Sequence, residues 1–498
     1  MTNTPPARTR LAPSPTGRTH IGTARTALYD YLLARQTGGQ FILRIEDTDQ
    51  KRYVADAEAE LMDGLRWLGL HWDEGPDIGG PHAPYRQTER RDLYRPIAEE
   101  LIERGHAFYC FCTPADLSAM RERQQALKRP LIYDGPCRNL PPAEAKARVA
   151  AGEPHVIRFK MPREGHITVH DGMRGDITYR NADLDDYVIM KSDGLPTYHL
   201  AAMADDHLMG VTHVFRGSEW LPTFPLHVHI YRALGWQEPQ WNHLSLFLKP
   251  SGKGKLSKRD SADMLNDGFS VFITDLRDLG YLPEGVLNWL ALIGWSYDDS
   301  TEFFTLADLI EKFSLEKLNA SPAALNFSKL DHFNGLHIRT LRTEDLATRL
   351  KPFFERAGLT PDDATLLKVA PLVQERIVTL DEAVEIAGFF FRDAVEPTVE
   401  DLIPKKQDAG ETARLLRLAI ERLDTLPDFN WETTQTAIAG LAEELGVGRG
   451  PFFQPLRVGV SGQRVSPPLF ETMEILGREV SLSRLRHAAD LLEQAATE

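Results

Sequence analysis

Apolar and polar positions in the first half of the chain alternate between helical and strand-like spacing. Apolar residues recur three and four positions apart over residues 24–35, 57–68 and 91–103, which predicts three amphipathic helices. A β-rich run over residues 41–46 and the alternation through residues 211–215 predict strands, and we expect the sheet to resume at residues 195–200. The pattern therefore predicts an α/β domain with an open sheet.

The pattern changes over residues 104–193, where short helical stretches alternate with short β-like runs. This change predicts an α+β insertion that interrupts the first domain. From about residue 265 onward the chain reads mostly as amphipathic helices, which prolines separate in the tail. We expect residues 1–103 and 194–260 to form two halves of one α/β domain, residues 104–193 the insertion, residues 261–335 a helical domain, and residues 336–498 an all-helical C-terminal region.

Length and composition narrow the class of protein. At 498 residues the chain is too long for a single core, and 42% hydrophobic with 26% charged residues is typical of a globular protein. No apolar run approaches the ~18 residues that span a bilayer, and the first residues lack an apolar signal core, so we expect a cytoplasmic protein. The formal charge of −15 argues against indiscriminate nucleic-acid binding but is compatible with one specific RNA partner on a local basic surface.

A turn near the start of the chain is the first candidate for chemistry. Pro13, Pro15 and Gly17 break regular structure directly before the helix predicted from residue 24, and His20 and Gly22 lie at the turn. A strand, turn and helix in this order direct free backbone N–H groups and a positive helix end at an anion. A histidine there can donate to phosphoryl oxygens, although a surface loop that caps a helix would have the same pattern.

A second cationic segment lies about 235 residues later, at residues 251–259, where Lys255 and Lys258 follow a glycine-rich stretch. Such a loop suits a polyphosphate that gathers charge during reaction, and on its own it is also compatible with a solvated basic turn. The two segments in this order resemble the two signatures of class I aminoacyl-tRNA synthetases. The residues around them, 12–17 and 255–259, resemble the glutamyl branch of that class, as found in bacterial glutamyl-tRNA synthetases.

The resemblance covers nearly the whole chain and implies a fold and an activity. It implies a Rossmann-like parallel-sheet catalytic domain split by an acceptor-binding insertion, a helical domain that contacts the tRNA stem, and an all-α anticodon-binding region. It implies ATP-dependent activation of L-glutamate with Mg²⁺, transfer to the terminal ribose of glutamate tRNA, and a monomer. The positions that match the glutamate pocket are Arg10, Ser14, Glu46, Tyr198 and Arg216. The positions that match the ATP and catalytic site are His20, Gly22, Glu219, Trp220, Lys255 and Lys258.

The chain departs from the family pattern at two positions. Thr23 stands where the class-wide signature has a second histidine, which is usual in the glutamyl branch. Ala202 stands where some members have a polar pocket residue, so one glutamate contact is expected to be absent or moved. In the tail, Arg376 matches a family arginine linked to rejection of glutamine tRNA, although a helical arginine is also a common solvated charge.

Three cysteines form a candidate metal site in the insertion. Cys110 and Cys112 form a C-x-C pair and Cys137 follows 25 residues after Cys112. Some glutamyl-tRNA synthetases carry zinc at the matching positions, but structural zinc takes four protein ligands. Asn139 stands where the fourth is expected, and Tyr133 is a poor substitute. Three reduced cysteines without metal are an equal alternative.

Three related functions compete with the glutamyl assignment. The glutaminyl enzyme shares the catalytic half, but its anticodon region is a β-barrel, whereas the tail here is predicted to be helical. The glutamyl-queuosine relative is short and lacks such a tail. A non-catalytic paralogue should have lost some of His20, Lys258, Arg10 or Glu46, and all four are present.

Overall fold

The chain folds as two compact units, and the computed structural model describes residues 5–256 and 269–497. The first unit comprises Met1–Leu276 and Val286–Phe327, and the second unit comprises Arg277–Gly285 and Ser328–Glu498. In the described ranges, none of the helices combines the length and the apolar character needed to cross a membrane.

Short strands and mostly short helices make up the first unit, and the described residues of the second unit contain helices only. The helices of the described residues are, in chain order, α1 (Ile21–Gln36), α2 (Ala57–Trp67), α3 (Arg91–Glu103), α4 (Pro114–Ala126), α5 (Pro142–Ala150), α6 (Tyr198–Leu208), α7 (Phe224–Leu234), α8 (Ile273–Asp278), α9 (Pro283–Leu292), α10 (Leu306–Lys312), α11 (Phe327–Thr340), α12 (Thr343–Arg356), α13 (Asp363–Gln374), α14 (Glu382–Ala387), α15 (Val399–Leu402), α16 (Ala409–Asp424), α17 (Trp431–Glu444), α18 (Arg449–Ser461) and α19 (Leu469–Thr497). The strands are β1 (Arg8–Leu11), β2 (Gln40–Leu43), β3 (Ala107–Cys110), β4 (Val156–Phe159), β5 (His166–Asp171), β6 (Gly175–Arg180), β7 (Val188–Met190), β8 (His213–Gly217), β9 (Gln240–Leu244), β10 (Phe247–Leu248) and β11 (Ala323–Ala324).

Parallel strand pairs form the centre of the first unit. β1 pairs with β2 and β8 pairs with β9, both in parallel, and the Thr212 N–H donates to the Arg8 carbonyl at 2.9 Å to join the two pairs. Helix α1 connects β1 to β2, and α7 connects β8 to β9, as crossovers between parallel strands require. The predicted α/β architecture is confirmed. Its consequence is that β1, β2, β8 and β9 end at the same edge of the sheet.

The segment between α3 and α6 has antiparallel strands, in contrast to the rest of the first unit. β3, β4 and β7 form one sheet in the order β3-β4-β7, and β5 and β6 form a hairpin. The short helical stretches expected in this segment correspond to α4 and α5, and the short β-like runs correspond to β4–β7. The apolar side chains of this segment share a core with those of α6 and α7.

One predicted element is wrong. Residues 195–200 were expected to continue the sheet, but Tyr198 begins helix α6. Residues 200–206 are buried on every side of this helix, so residues 200–204 form a continuous apolar run without helical periodicity. Three of these residues are alanines, which favour a helix, and Pro196 lies just before its first turn.

The second unit is helical throughout its described residues, as predicted. Helices α12, α13 and α14 pack around one apolar core, and helices α16 to α19 pack around a second core. Helix α19 is interrupted at Gly477, whose φ of +77° lies in the left-handed region that favours glycine.

Buried ion pairs fix the strands of the first unit to helix α6. Arg44, directly after β2, is fully buried and its guanidinium lies 2.8 Å from Asp206 and 3.0 Å from Glu46. Arg10 of β1 pairs with the same Asp206 at 2.9 Å, and Arg90 pairs with Asp205 at 2.7 Å. A buried charge is costly unless it is paired. Asp205 and Asp206 of α6 therefore supply carboxylate partners, and neither aspartate belongs to a candidate metal-ligating cluster of the described residues.

We expect Asp206→Asn to lower the free energy of unfolding of the first unit by about 3–5 kcal/mol, because it leaves Arg10 and Arg44 buried without a shared carboxylate. Urea denaturation, read by hydrogen exchange of peptides from β1 and α6, measures the change. The matched control is Asp183→Asn, which breaks an exposed pair with Arg180 and should leave the transition unchanged. Equal effects of the two substitutions would contradict the role given to the buried network.

Candidate active site

Two adjoining cavities form one cleft at the carboxyl edge of the parallel strands. The larger has a volume of about 940 Å³ and the smaller about 480 Å³, and Thr23, Thr26, Gly217 and Glu219 line both. The larger cavity is also lined by Arg10, Ser14, Glu46, Tyr198, Arg216 and Trp220. The smaller cavity is also lined by His20, Gly22 and Lys255. The structure thus brings together the predicted glutamate, ATP and catalytic residues that it describes. Lys258 lies outside the described residues.

The turn after β1 positions His20 at the N-terminus of α1. The carbonyl of Pro13 accepts the Glu46 N–H at 2.9 Å, which holds the turn against the segment after β2. His20 has extended backbone angles and caps the helix: its Nδ1 accepts the Gly22 N–H at 3.0 Å. In the neutral imidazole, the proton is then on Nε2, which is a donor. A Cβ at residue 22 would lie 3.2 Å from His20 Nδ1, so glycine permits this cap.

A tight turn presents Lys255 to the smaller cavity. The Lys249 N–H donates to the Gly254 carbonyl at 3.1 Å, and the Leu256 N–H donates to the Phe247 carbonyl at 3.0 Å. Gly252 and Gly254 have φ values of +73° and +82°, which explains the glycines of this segment. Lys255 itself is exposed, so its ammonium can reach a ligand in the cleft. The convergence of the turn at His20 with the downstream basic segment is therefore observed for Lys255.

Arg216 is a buried cation of the larger cavity. It belongs to β8 and is 6% exposed, and its guanidinium carbon lies 4.8 Å from the centre of the Trp241 ring. Its Nε donates to His243 Nε2 at 2.9 Å, but its two terminal nitrogens have no hydrogen-bond partner among the described residues. Burial lowers the pKa of this guanidinium, and the neighbouring Tyr198 partly opposes the effect. Two adjacent, buried N–H donor groups fit the two oxygens of a carboxylate.

Aromatic rings form the wall of the cleft beside Arg216. The ring of Tyr198, at the start of α6, stacks on Trp220 with centroids 3.9 Å apart. Burial raises the pKa of Tyr198, so its hydroxyl keeps its proton and can donate. The wall thus combines an apolar face with a neutral donor.

Glu46 and Arg10 place opposite charges at the floor of the cleft. Glu46 is 5% exposed and accepts from Arg44 at 3.0 Å. Burial raises the pKa of Glu46 to about 7, although Arg44 opposes the shift. Arg10 donates to Asp206 and to the Phe215 carbonyl, so it has fewer donors left than Arg216. Ser14 is exposed at the rim, and Ala202 is fully buried in α6 and is not part of the lining.

The cysteines form a compact cluster at the end of β3, apart from the cleft lining. The Sγ atoms of Cys110, Cys112 and Cys137 all lie within 4.8 Å of one another. The hydroxyl of Tyr133 lies 3.4 Å from Cys110 Sγ and 3.3 Å from Cys112 Sγ. Tyr133 thus approaches the position for which the sequence suggested Asn139. No local signal distinguishes this tyrosine, because it reaches the cluster through the loop between α4 and α5.

Arg376 lies in the second unit, just after α13. It is exposed, and its Nη1 donates to the Ser466 carbonyl at 3.4 Å. Arg457 donates to the same carbonyl at 3.3 Å. Burial and the charge of Arg376 lower the pKa of Arg457. The two arginines therefore form a local positive patch on the helical unit.

Known families and structures resemble the whole chain. A family model described as "tRNA synthetases class I (E and Q), catalytic domain" matches residues 6–332, and one described as "Anticodon binding domain" matches residues 345–489. The glutamate–tRNA ligase of Roseiflexus castenholzii is 46% identical over 99% of this chain and 98% of its own length. That of Chloroflexus aurantiacus is 45% identical over 99% of both chains. The crystal structure of a glutamate tRNA ligase from Elizabethkingia meningosepticum in complex with its amino acid has a TM-score of 0.89 and 40% identity, covering 98% of this chain and 100% of that one.

We expect the Glu46 carboxyl to titrate with a midpoint of about 7 in the ligand-free protein, because burial favours its neutral form. Carbon-13 NMR of carboxyl-labelled glutamate measures the midpoint, and Glu46→Gln should remove that resonance and no other. A cationic group bound beside Glu46 should lower the midpoint, so binding of an amine is expected to weaken as the pH falls below about 7. A midpoint near 4 to 5 would contradict the burial of this carboxylate.

Proposed function

The chain belongs to the class I tRNA synthetases of the E and Q type, and from that premise we propose that it is a glutamate–tRNA ligase. It activates L-glutamate with ATP to glutamyl-adenylate and transfers the glutamyl group to the 3′-terminal ribose of glutamate tRNA. The observation that carries this proposal is the single cleft that has Arg216 at one end and His20 with Lys255 at the other. One end suits a substrate carboxylate and the other suits a triphosphate.

In the first step the α-carboxylate of glutamate attacks the α-phosphorus of ATP, an O–P bond forms, and pyrophosphate leaves with the electron pair of the broken P–O bond. The protein contributes alignment and charge stabilisation. Arg216 binds the side-chain carboxylate through its terminal nitrogens, and Glu46 accepts hydrogen bonds from the substrate ammonium. Ser14, Tyr198 and Arg10 complete the amino-acid pocket.

The other end of the cleft serves ATP. The first N–H groups of α1 and His20 Nε2 donate to phosphate oxygens. Lys255 and Lys258 follow the β- and γ-phosphates as charge gathers on the leaving pyrophosphate. Gly22, Glu219 and Trp220 contact the nucleotide. Mg²⁺ bound with ATP would supply further charge neutralisation and would need few dedicated protein ligands.

In the second step a ribose hydroxyl of the tRNA attacks the glutamyl carbonyl, the ester bond forms, and AMP leaves. We assign the acceptor end of the tRNA to the segment of residues 104–193 and the anticodon to the helical region of residues 336–498. Arg376 then takes part in discriminating glutamate tRNA from glutamine tRNA. We place the enzyme in the cytoplasm, as a monomer.

The cysteine cluster fits a structural zinc ion. Four tetrahedral bonds of about 2.3 Å would separate two sulfur ligands by about 3.8 Å. The Cys112 and Cys137 sulfurs are 3.7 Å apart, and Tyr133 adds an oxygen beside Cys110 and Cys112. We therefore propose three thiolates and the Tyr133 oxygen as ligands, with the zinc tying the end of β3 to the loop before residue 139.

The assignment predicts exchange of pyrophosphate into ATP that depends on glutamate and on added tRNA. Glutamine should not support exchange; exchange with glutamine but not with glutamate would overturn the assignment in favour of the glutaminyl enzyme.

Lys258→Ala should lower turnover by about 100-fold or more with little change in the KM for glutamate, because the lysine acts on the departing phosphates. The control is Lys253→Ala, an exposed lysine of the same segment that does not line the cleft and should behave as wild type.

The zinc proposal predicts about one zinc ion per chain in untagged protein, as measured by elemental analysis. Tyr133→Phe should weaken zinc retention against a chelator, because it removes the fourth donor and leaves the thiols in place. Tyr179→Phe is the control, since the Tyr179 hydroxyl donates to the Leu221 carbonyl at 2.9 Å. A preparation without appreciable zinc would dismiss the site.

A further inference from the structure

We propose that Asp171 and His243 are positioning residues for Arg216, which they hold with its two terminal nitrogens directed at the substrate carboxylate. The inference rests on the proposed function, because it concerns the arginine assigned to the side chain of glutamate. Both residues are fully buried, and neither lines the cleft. They act through Arg216 and do not touch the substrate.

The sheet register places His243 beside Arg216. In the parallel pair β8–β9, Arg216 and His243 are direct Cα partners. Arg216 Nε lies 2.9 Å from His243 Nε2, and His243 Nδ1 lies 2.7 Å from Asp171 Oδ2. The three side chains form one continuous row from the end of β5 to the cleft.

The chemistry of the row permits only one arrangement of protons. The Asp171 carboxylate only accepts, so Nδ1 of His243 carries the ring proton. An arginine Nε–H only donates, so Nε2 of His243 must offer its lone pair. The ring is therefore neutral and has a fixed tautomer. Burial lowers the pKa of His243 to about 4, against the effect of Asp171, which agrees with a neutral ring.

Asp171 is itself held by four hydrogen bonds. Its Oδ1 accepts the N–H groups of Met173 at 3.1 Å and Arg174 at 2.9 Å. Its Oδ2 accepts the backbone N–H of His243 at 3.1 Å in addition to the ring N–H. Every one of these partners is a donor, so the position requires a side chain with two accepting oxygens.

The turn that carries Asp171 is clamped onto β9. The Gly172 N–H donates to the Trp241 carbonyl at 2.7 Å, and the Arg174 side chain donates to the His243 carbonyl. A Cβ at residue 172 would lie 2.3 Å from Asn242 Oδ1, so glycine allows this approach. The β5–β6 hairpin of the insertion therefore fixes the carboxylate against the strand that carries His243.

With Nε bound to His243, only the terminal end of the guanidinium remains for a ligand. The rings of Trp241 and Phe224 flank it, with centres 4.8 and 5.7 Å from the guanidinium carbon. Neither terminal nitrogen has a partner among the described residues. A carboxylate can therefore be bound by both nitrogens at once, and the row keeps the arginine from turning away.

Two substitutions of His243 distinguish its hydrogen bond to Arg216 from its hydrogen bond to Asp171. His243→Asn keeps a donor near the Nδ1 position for Asp171 but removes the acceptor for Arg216. His243→Gln places an amide oxygen near the Nε2 position and keeps that acceptor. We expect His243→Asn to raise the KM for glutamate about tenfold or more with the KM for ATP within twofold, and His243→Gln to stay near wild type. Asp171→Asn should resemble His243→Asn, because an amide N–H2 would face donors and reverse the tautomer.

Pyrophosphate exchange with purified full-length protein and tRNA measures both KM values, and His229→Gln on α7 is the matched control because it alters a partly buried histidine with no bond to Arg216. If the wild type shows no glutamate-dependent exchange, the proposed function fails. If the wild type is active and His243→Asn has an unchanged KM for glutamate, or raises the KM for ATP equally, the positioning role fails. If the variants do not fold, neutron diffraction of the wild type decides: deuterium on Nδ1 of His243 supports the proposal, and deuterium on Nε2 overturns it.

Discussion

The requirement that a buried charge have a partner determines the architecture of the cleft. Arg44 is fully buried and Arg10 almost so, and both share Asp206, which α6 supplies. Because removing one of these charges takes a partner from another buried charge, β1, the end of β2 and α6 are held in a fixed arrangement. The elements that carry the candidate ligand-binding side chains are the same ones, so the site inherits its rigidity from this network.

Within that network the charges divide into two groups. Arg44 and Asp206 face other protein charges, and they determine where the strands lie. Arg216 and Glu46 are buried with incomplete compensation: Arg216 keeps two nitrogens without partners, and burial raises the pKa of Glu46 to about 7. Residual, opposite charges of this kind suit a zwitterionic ligand, whose carboxylate and ammonium complete both sets of hydrogen bonds at once.

Local patterns in the sequence were sufficient to predict the turn at His20, helix α1 and most of the first unit's helices, because helix caps and hydrophobic periodicity are local properties. Helix α6 was missed because its burial on all sides removes periodicity. The pair of Asp171 and His243 was missed, and Tyr133 was expected to be a poor zinc ligand, for another reason. These residues join their partners through tertiary contacts and sheet register between residues 21 to 72 positions apart. The placement of Lys258 still rests on the sequence, since it lies outside the described residues.

In the proposed site, selectivity for glutamate over glutamine follows from fixed donors. The terminal nitrogens of Arg216 can only donate, and its Nε is bound to a histidine whose tautomer is set by Asp171. A carboxylate offers acceptors to both nitrogens, whereas an amide offers one acceptor and turns an N–H2 group against the second donor. A row of hydroxyls could reorient to accommodate the amide, but here a carboxylate that only accepts and a guanidinium that only donates hold the imidazole between them in one tautomer. The discrimination therefore depends on the donor-only arginine together with the fully buried pair that orients it.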